Sequence, residues 1–290
     1  MFKHMIKTMR PRQWLKNLVI YAGIVFDGQL SNWQALLRVS FAFILFCLLS
    51  GLVYTINDLM DIKADRAHPK KQHRPIASGA LSTKAAISMA IVLALIIFPA
   101  AFFLDVKFGI VCSAYFLLML AYSRWLKYVM IIDVMIIAIG FVLRMYAGIA
   151  VITVQHFSPW LYILTSLLAL FLAFGKRHAE LKLLSENAGE HRVTLRGYTL
   201  EMLNQYLVIV LSAILITYML YTFAPTAGEH NYMMMFTIPF VIYGIFRYME
   251  ILQSKDTGAA PEEVLLSDRP LQATIVLWAV AVFIILYIII

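Results

Sequence analysis

The segment Asn57-Asp58-Leu59-Met60-Asp61-Ile62-Lys63-Ala64-Asp65-Arg66 sets three carboxylates and an amide at the end of a long apolar run. On one continuous helix, at about 100° per residue, Asp61 and Asp65 lie about 60° and about 20° around the axis from Asp58, so all three face one way. Hard carboxylate oxygens without His or Cys beside them suit Mg²⁺, which keeps some of its waters and bridges carboxylates to substrate phosphates. Asn57, Asp58, Asp61 and Asp65 are therefore the candidate metal ligands, and the three Asp the candidate catalytic residues. The basic stretch that follows, from Arg66 through Lys70 and Lys71 to Arg74, would neutralise an anion held there. A solvated mixed-charge loop is the plainer alternative; the helical spacing and the apolar edge favour the metal.

The elements that must position these residues are membrane helices. A chain of 290 residues with 62% hydrophobic and only 14% charged residues is too apolar for a soluble globular domain. Apolar runs long enough to cross a hydrocarbon core lie near 14–30, 35–57, 83–104, 107–124, 129–151, 158–175, 202–223, 232–252 and 271–290. They predict an all-α polytopic protein with nine spans, the first being the shortest and interrupted by Asp27. No repeat divides the chain, which reads as one domain over 1–290 with its polar loops at 58–82, 124–128, 176–201 and 253–270. Cys47 and Cys112 fall inside spans and imply neither a disulfide framework nor a thiolate metal site. No cleavable signal peptide is visible, since the basic segment Lys3 to Lys16 runs into a helix without a small-residue cleavage site.

Of the 24 Lys and Arg, 21 lie in the N-terminal segment or in and next to those loops, counting Lys84 and Arg247 at their edges, and Arg38, Lys107 and Arg144 fall away from them. The positive-inside rule then puts the N-terminus and the basic loops in the cytoplasm. A net charge of +8 gathered on that face attracts anionic headgroups and phosphorylated substrates. Short membrane-bound loops offer no continuous surface to a nucleic acid.

Three further polar places stand out. Lys176-Arg177-His178-Ala179-Glu180 opens the loop after the sixth span, where Lys176 and Glu180, four residues apart, could form an ordinary surface ion pair or serve a ligand. Tyr122-Ser123-Arg124-Trp125-Leu126-Lys127 could be an interfacial anchor or part of a site. Asp133, just inside a span, is costly unless paired, and Lys127 or a loop Arg is its expected partner. Arg144 shares a helix face with Asp133 and is expected to snorkel to the far interface.

Asn-Asp-x-x-Asp-x-x-x-Asp at the end of the second span, within nine apolar spans, resembles the UbiA superfamily of intramembrane prenyltransferases. Several other stretches resemble its decaprenyl-phosphate phosphoribosyltransferase branch: Arg10-Pro11-Arg12-Gln13-Trp14-Leu15-Lys16-Asn17, Asp65-Arg66-Ala67-His68-Pro69-Lys70, Arg74-Pro75-Ile76-Ala77-Ser78-Gly79, and Tyr122-Ser123 with Lys127. So do Gly140-Phe141-Val142-Leu143-Arg144 with Ala147-Gly148, Lys176-Arg177 with Glu180-Leu181, and Asp268-Arg269-Pro270-Leu271. The resemblance implies Mg²⁺-dependent transfer of 5-phosphoribose from 5-phosphoribosyl 1-diphosphate to a polyprenyl phosphate, with release of diphosphate. It also implies a UbiA-like fold in a bacterial inner membrane with a cytoplasmic active site. Lys16, Asn17, Arg66, Lys70, Arg74, Tyr122, Lys127, Lys176 and Arg177 are then the candidates for binding phosphates, with Asp133 and Glu180 orienting cations or ribose hydroxyls. The isoprenoid would lie against lipid between spans. A homo-oligomer is compatible with the sequence.

Aromatic-accepting members of the superfamily carry a second Asp-rich motif after the sixth span. Here one acid and two cations stand in its place, which suits a second anionic reactant better than more metal. Two other functions are weighed against phosphoribosyl transfer. An aromatic prenyltransferase would need the missing acidic motif, and an ion-coupled lipid flippase or transporter would need acids near the bilayer midplane.

Overall fold

A computed structural model describes residues 1–68, 71–154, 159–184, 195, 197–223, 232–253, 264–265 and 267–289. Among them the secondary structure is entirely helical. Chain contacts divide it into two compact units, Met1–Trp125 with Leu143–Gln155, and Leu126–Val142 with His156–Ile290.

The first unit begins with α1 (Phe2–Thr8), a 3₁₀ segment over Pro11–Tyr21 and α2 (Ala22–Phe26). Long helices follow: α3 (Trp33–Met60), the short α4 (Ile62–Ala67), α5 (Thr83–Leu104) and α6 (Val106–Arg124). Each long helix starts on a side-chain cap. Asn32 accepts from the Ala35 amide, Ser82 from Ala85, and Asp105 from Lys107 and Phe108, which satisfies amides that would otherwise lack partners. Phe46, Leu49, Phe108 and Cys112 pack with Ile20 and Ile24 into one core. The 3₁₀ segment crosses α7 (Ile132–Ala150) at very close range: a Cβ added to Gly148 would sit 1.8 Å from the Ile20 carbonyl oxygen. Only glycine lets these backbones meet.

The second unit contains the first half of α7, then α8 (Pro159–Leu184), α9 (Leu200–Phe223), α10 (Ile238–Gln253) and α11 (Arg269–Ile284). Its core joins Val134, Phe171, Leu203, Leu207 and Tyr248.

Eight helices among the described residues are long and apolar enough to cross a membrane. The expected ninth, at 14–30, is instead the 3₁₀ segment and short α2, ended by a left-handed turn at Gly28. Asn17, Ile20, Gly23 and Ile24 are buried along one side of this stretch, while Leu15 and Leu18 remain exposed. Elsewhere the apolar surface faces outward, as at Phe103 (95% exposed) and Phe236 (71%), where lipid is the natural solvent.

Candidate functional site

In the first unit α3 carries Asp58 to its last turn, where the residue is only 2% exposed. The helix does not continue to Asp65 as expected. Asp61 departs from ideal helical geometry (φ −94°, ψ 9°) and α4 restarts at Ile62, although the i→i−4 bonds Asp61 N–H to Asn57 O and Asp65 N–H to Asp61 O run through the break. The break brings two of the three together. One nitrogen of Arg74, Nη1, donates to Asp58 Oδ1 at 3.1 Å and to Asp65 Oδ2 at 2.7 Å. Asp58 Oδ1 also accepts from Arg10 Nη2 at 2.5 Å, and the Arg10 guanidinium stacks 4.7 Å over the Tyr54 ring, one turn earlier on α3. Arg10 is held in the left-handed region at φ 53°, an uncommon conformation for a non-glycine residue.

The loop bearing Arg74 is fixed by its own hydrogen bonds. Leu81 N–H reaches Pro75 O at 2.8 Å, and Arg66 Nε donates to Ala77 O at 3.0 Å, tying the loop to α4. Gly79 (φ 81°) makes the turn, while Ile76, Leu81 and Ala86 form a small core beneath. Asn57, Asp61, Lys16 and Tyr122 are half-buried, and Lys70 lies outside the described residues.

Deeper in the same unit, Arg144 does not snorkel. It is 7% exposed, donates from Nε to Asn17 Oδ1 at 2.8 Å and from Nη2 to the Tyr115 hydroxyl at 2.6 Å, and stacks 4.7 Å over the Tyr115 ring. Asn17 is fully buried and donates from Nδ2 to Cys47 Sγ at 3.2 Å. A hydrogen-bonding partner inside the protein removes the reason for a cation to reach for the interface.

In the second unit Asp133 is fully buried, with Arg177 Nε 3.4 Å from its Oδ2. Its cationic partner is thus Arg177, which the sequence placed in the loop after the sixth span and which lies on α8. Arg177, 1% exposed, also pairs with Glu180 at i,i+3. Tyr198 completes the cluster, accepting from the Ile131 amide at 2.8 Å and donating to Asp133 Oδ1 at 3.2 Å. Burial first, and the neighbouring Asp133 carboxylate second, push the Tyr198 hydroxyl up to about 12. Ile131 adopts φ 67°, a costly conformation for a β-branched residue. Among the described residues, the two non-glycine residues with positive φ therefore flank the two polar clusters. Lys176 and Lys127 are half-buried, with the Lys127 ammonium 5.2 Å from the Tyr128 ring centre. Asp268 caps α11 and takes a two-pronged bond from Arg247, which holds its carboxyl below the usual carboxylate range. Of loops 176–201 and 253–270, residues 185–194, 196, 254–263 and 266 lie outside the described residues.

Sequence reasoning did not assign site roles to Arg10, Tyr115 or Tyr198. Arg10 carried a signal in the Arg-Pro-Arg stretch; the two tyrosines, among 15 in the chain, carried none.

Among the described residues no group of three or more His, Cys, Asp or Glu could hold a metal ion. Two buried carboxylates do converge on one cationic nitrogen, that of Arg74. Such a pair fits Mg²⁺, which is commonly held by one or two carboxylates together with water and substrate phosphate oxygens.

Residues 18–268 match the model of the UbiA prenyltransferase family. The chain is 34% identical to a decaprenyl-phosphate phosphoribosyltransferase of Mycolicibacterium smegmatis, over 94% of this chain and 89% of the relative. It is 33% identical to the protein of the same name from Corynebacterium glutamicum, over 98% and 87%. In fold it is similar to a UbiA homolog from Archaeoglobus fulgidus bound to GPP and Mg²⁺, with a TM-score of 0.73 over 98% of this chain and 100% of that one, at 18% identity. With eight apolar helices among the described residues and this match along most of its length, the chain is an integral membrane protein that belongs to the UbiA prenyltransferase family.

Proposed function

We propose that this protein transfers 5-phosphoribose from 5-phosphoribosyl 1-diphosphate to a polyprenyl phosphate, releasing diphosphate at the cytoplasmic face of a bacterial inner membrane. The observation that carries the reading is the near full-length similarity to decaprenyl-phosphate phosphoribosyltransferases. The geometry supports it. At the end of α8 Arg177 is buried between Asp133 and Glu180 with Lys176 beside it, so cations stand where an aromatic prenyltransferase would need a second acidic motif.

Asp58 and Asp65 would hold Mg²⁺, which supplies charge neutralisation for the departing diphosphate. Arg10 and Arg74, already concentrated on those carboxylates, would exchange part of their hydrogen bonding from carboxylate to phosphate oxygens, for which the guanidinium fork is well shaped. Lys16, Arg66, Lys70 and Tyr122 add donors, with Asn57 and Asp61 at the rim. In the second unit Asp133 and Glu180 fix the Arg177 guanidinium, and Lys176 and Lys127 are the cations that would turn to a phosphorylated reactant. The bond from ribose C1 to the diphosphate oxygen breaks, and a polyprenyl phosphate oxygen forms the new bond to C1. That oxygen is already anionic at pH 7, so no general base is required, and rate comes from positioning and electrostatics.

The test offers purified protein, Mg²⁺ and radiolabelled phosphoribosyl diphosphate to two acceptors. Label is expected in lipid with polyprenyl phosphate. Prenylation of an aromatic acid from a prenyl diphosphate, with no labelled lipid from polyprenyl phosphate, would overturn the proposal.

A further inference from the structure

At the end of the first unit remote from Asp58 lies a cavity of about 630 Å³, lined by the starts of α3 and α6, the end of α7 and the chain after it. Ala35 in its wall and Asp58 are on the same helix, separated by roughly 35 Å at about 1.5 Å per residue. That is about the thickness of a bilayer's hydrocarbon core. The cavity thus lies at the opposite membrane edge, where Trp33 (67% exposed) is placed as an interfacial anchor.

Its electrostatics are positive. Two helix N-termini, of α3 and α6, open on it. Arg38 and Lys107 line it, against the single carboxylate of Asp105. That carboxylate is engaged, accepting from the Lys107 amide at 2.7 Å and the Phe108 amide at 3.4 Å, with Arg38 Nη2 at 3.7 Å. The carbonyl end of α7 also lines the cavity, and three nearby carbonyls have partners: Val151 O and Leu104 O accept from Arg38, and Thr153 O accepts from Gln29. Among the described residues, the exposed Lys107 ammonium and Tyr146 hydroxyl take part in no hydrogen bond or ion pair, so both can meet a ligand. Beside them Phe103 (95% exposed), Val106 (63%) and Ile110 (58%) present apolar surface continuous with the lipid-facing side.

We propose that this cavity binds the phosphate headgroup of an anionic phospholipid in the leaflet opposite Asp58, with Lys107 and Arg38 as the cations and the acyl chains along Phe103, Val106 and Ile110. The proposal is independent of the phosphoribosyl-transfer reading. A phosphate is favoured over a neutral headgroup because the cations and the two helix ends outweigh one satisfied acid. A lipid is favoured over free phosphate because the apolar surface begins at the rim.

The test uses full-length protein in phosphatidylcholine nanodiscs with and without phosphatidylglycerol, and native mass spectrometry to measure retained phosphatidylglycerol. Lys107 is exposed, so its variants fold, and Lys107→Gln should weaken retention about five-fold and Lys107→Glu about 25-fold, as expected for losing and reversing one charge near a membrane surface. Lys107→Arg should match wild type, and phosphoribosyl transfer should not change in any of the three. Equal retention by wild type and Lys107→Glu would overturn the proposal. So would inorganic phosphate protecting the wild type against heat in pure phosphatidylcholine as well as phosphatidylglycerol does, with the same dependence on Lys107, because the site would then take a free anion.

Discussion

Arg74 Nη1 lies 2.7 Å from Asp65 Oδ2, a contact made across a break in the helix that was expected to carry Asp58, Asp61 and Asp65 together. The same nitrogen reaches Asp58, so the pair that converges is Asp58 with Asp65, and Asp61 stands at the break. Asp58→Asn and Asp65→Asn should each lower turnover by about 10²–10³-fold at saturating Mg²⁺, the usual effect of removing one electrostatic contributor. Each asparagine keeps an acceptor for Arg10 or Arg74, so the detergent-purified proteins should remain folded. Asp61→Asn should be milder than either. A larger loss in Asp61→Asn than in Asp65→Asn, measured as initial rates, would contradict the assignment.

Asp133 and Arg177 are both buried, and a buried charge that loses its partner costs about 3–5 kcal/mol. Arg177→Gln should therefore lower the unfolding midpoint sharply, and Asp133→Asn/Arg177→Gln should recover part of the loss through the coupling between contacting groups. Lys176→Ala should act differently. It should leave the midpoint near wild type and raise KM for one phosphorylated substrate about 10- to 150-fold, the worth of a charge-assisted hydrogen bond. Wild-type kinetics in Lys176→Ala for both substrates would reduce this loop to an ion-paired surface.

These two clusters show what can be read from a sequence and what cannot. Eight spans and the acid-rich edge were legible because hydropathy and spacing are local properties. The 3₁₀ segment over Pro11–Tyr21 was not, since its apolar residues count toward a span while close backbone contact between Ile20 and Gly148 sets its geometry. The burial of Arg144 depends on Asn17, 127 positions away in the chain, and on Tyr115. The halt at Asp61 is a backbone choice that no residue type in the segment announces. Arg177 pairs with Glu180 at i,i+3, a spacing within reach on a helix just as the i,i+4 spacing of Lys176 is.

Gly148→Ala should destabilise the first unit by about 1–3 kcal/mol, because the added methyl would fall on the Ile20 carbonyl and force the two backbones apart. Thermal unfolding in detergent reads this directly. An unchanged midpoint would show that the crossing is looser than described.

Tyr198 retains its proton to about 12, above the ordinary tyrosine value of 10.0, so the folded state holds a proton that the unfolded chain gives up earlier. Its contribution to stability is fully present below pH 10 and is lost as pH rises through 12. Tyr198→Phe should flatten that alkaline decline in a series of melts taken between pH 9 and pH 12. A decline of the same slope in the variant would place the titration elsewhere.

The most direct test of the proposed reaction follows one oxygen atom. Phosphoribosyl diphosphate carrying ¹⁸O at the position bridging ribose C1 and the diphosphate is turned over with polyprenyl phosphate and Mg²⁺, and both products are weighed by mass spectrometry. A polyprenyl phosphate bearing one phosphoribose and no ¹⁸O is expected, with all label in the released diphosphate. Label in the lipid, or diphosphate released without any phosphoribosylated lipid, would contradict the proposed reaction.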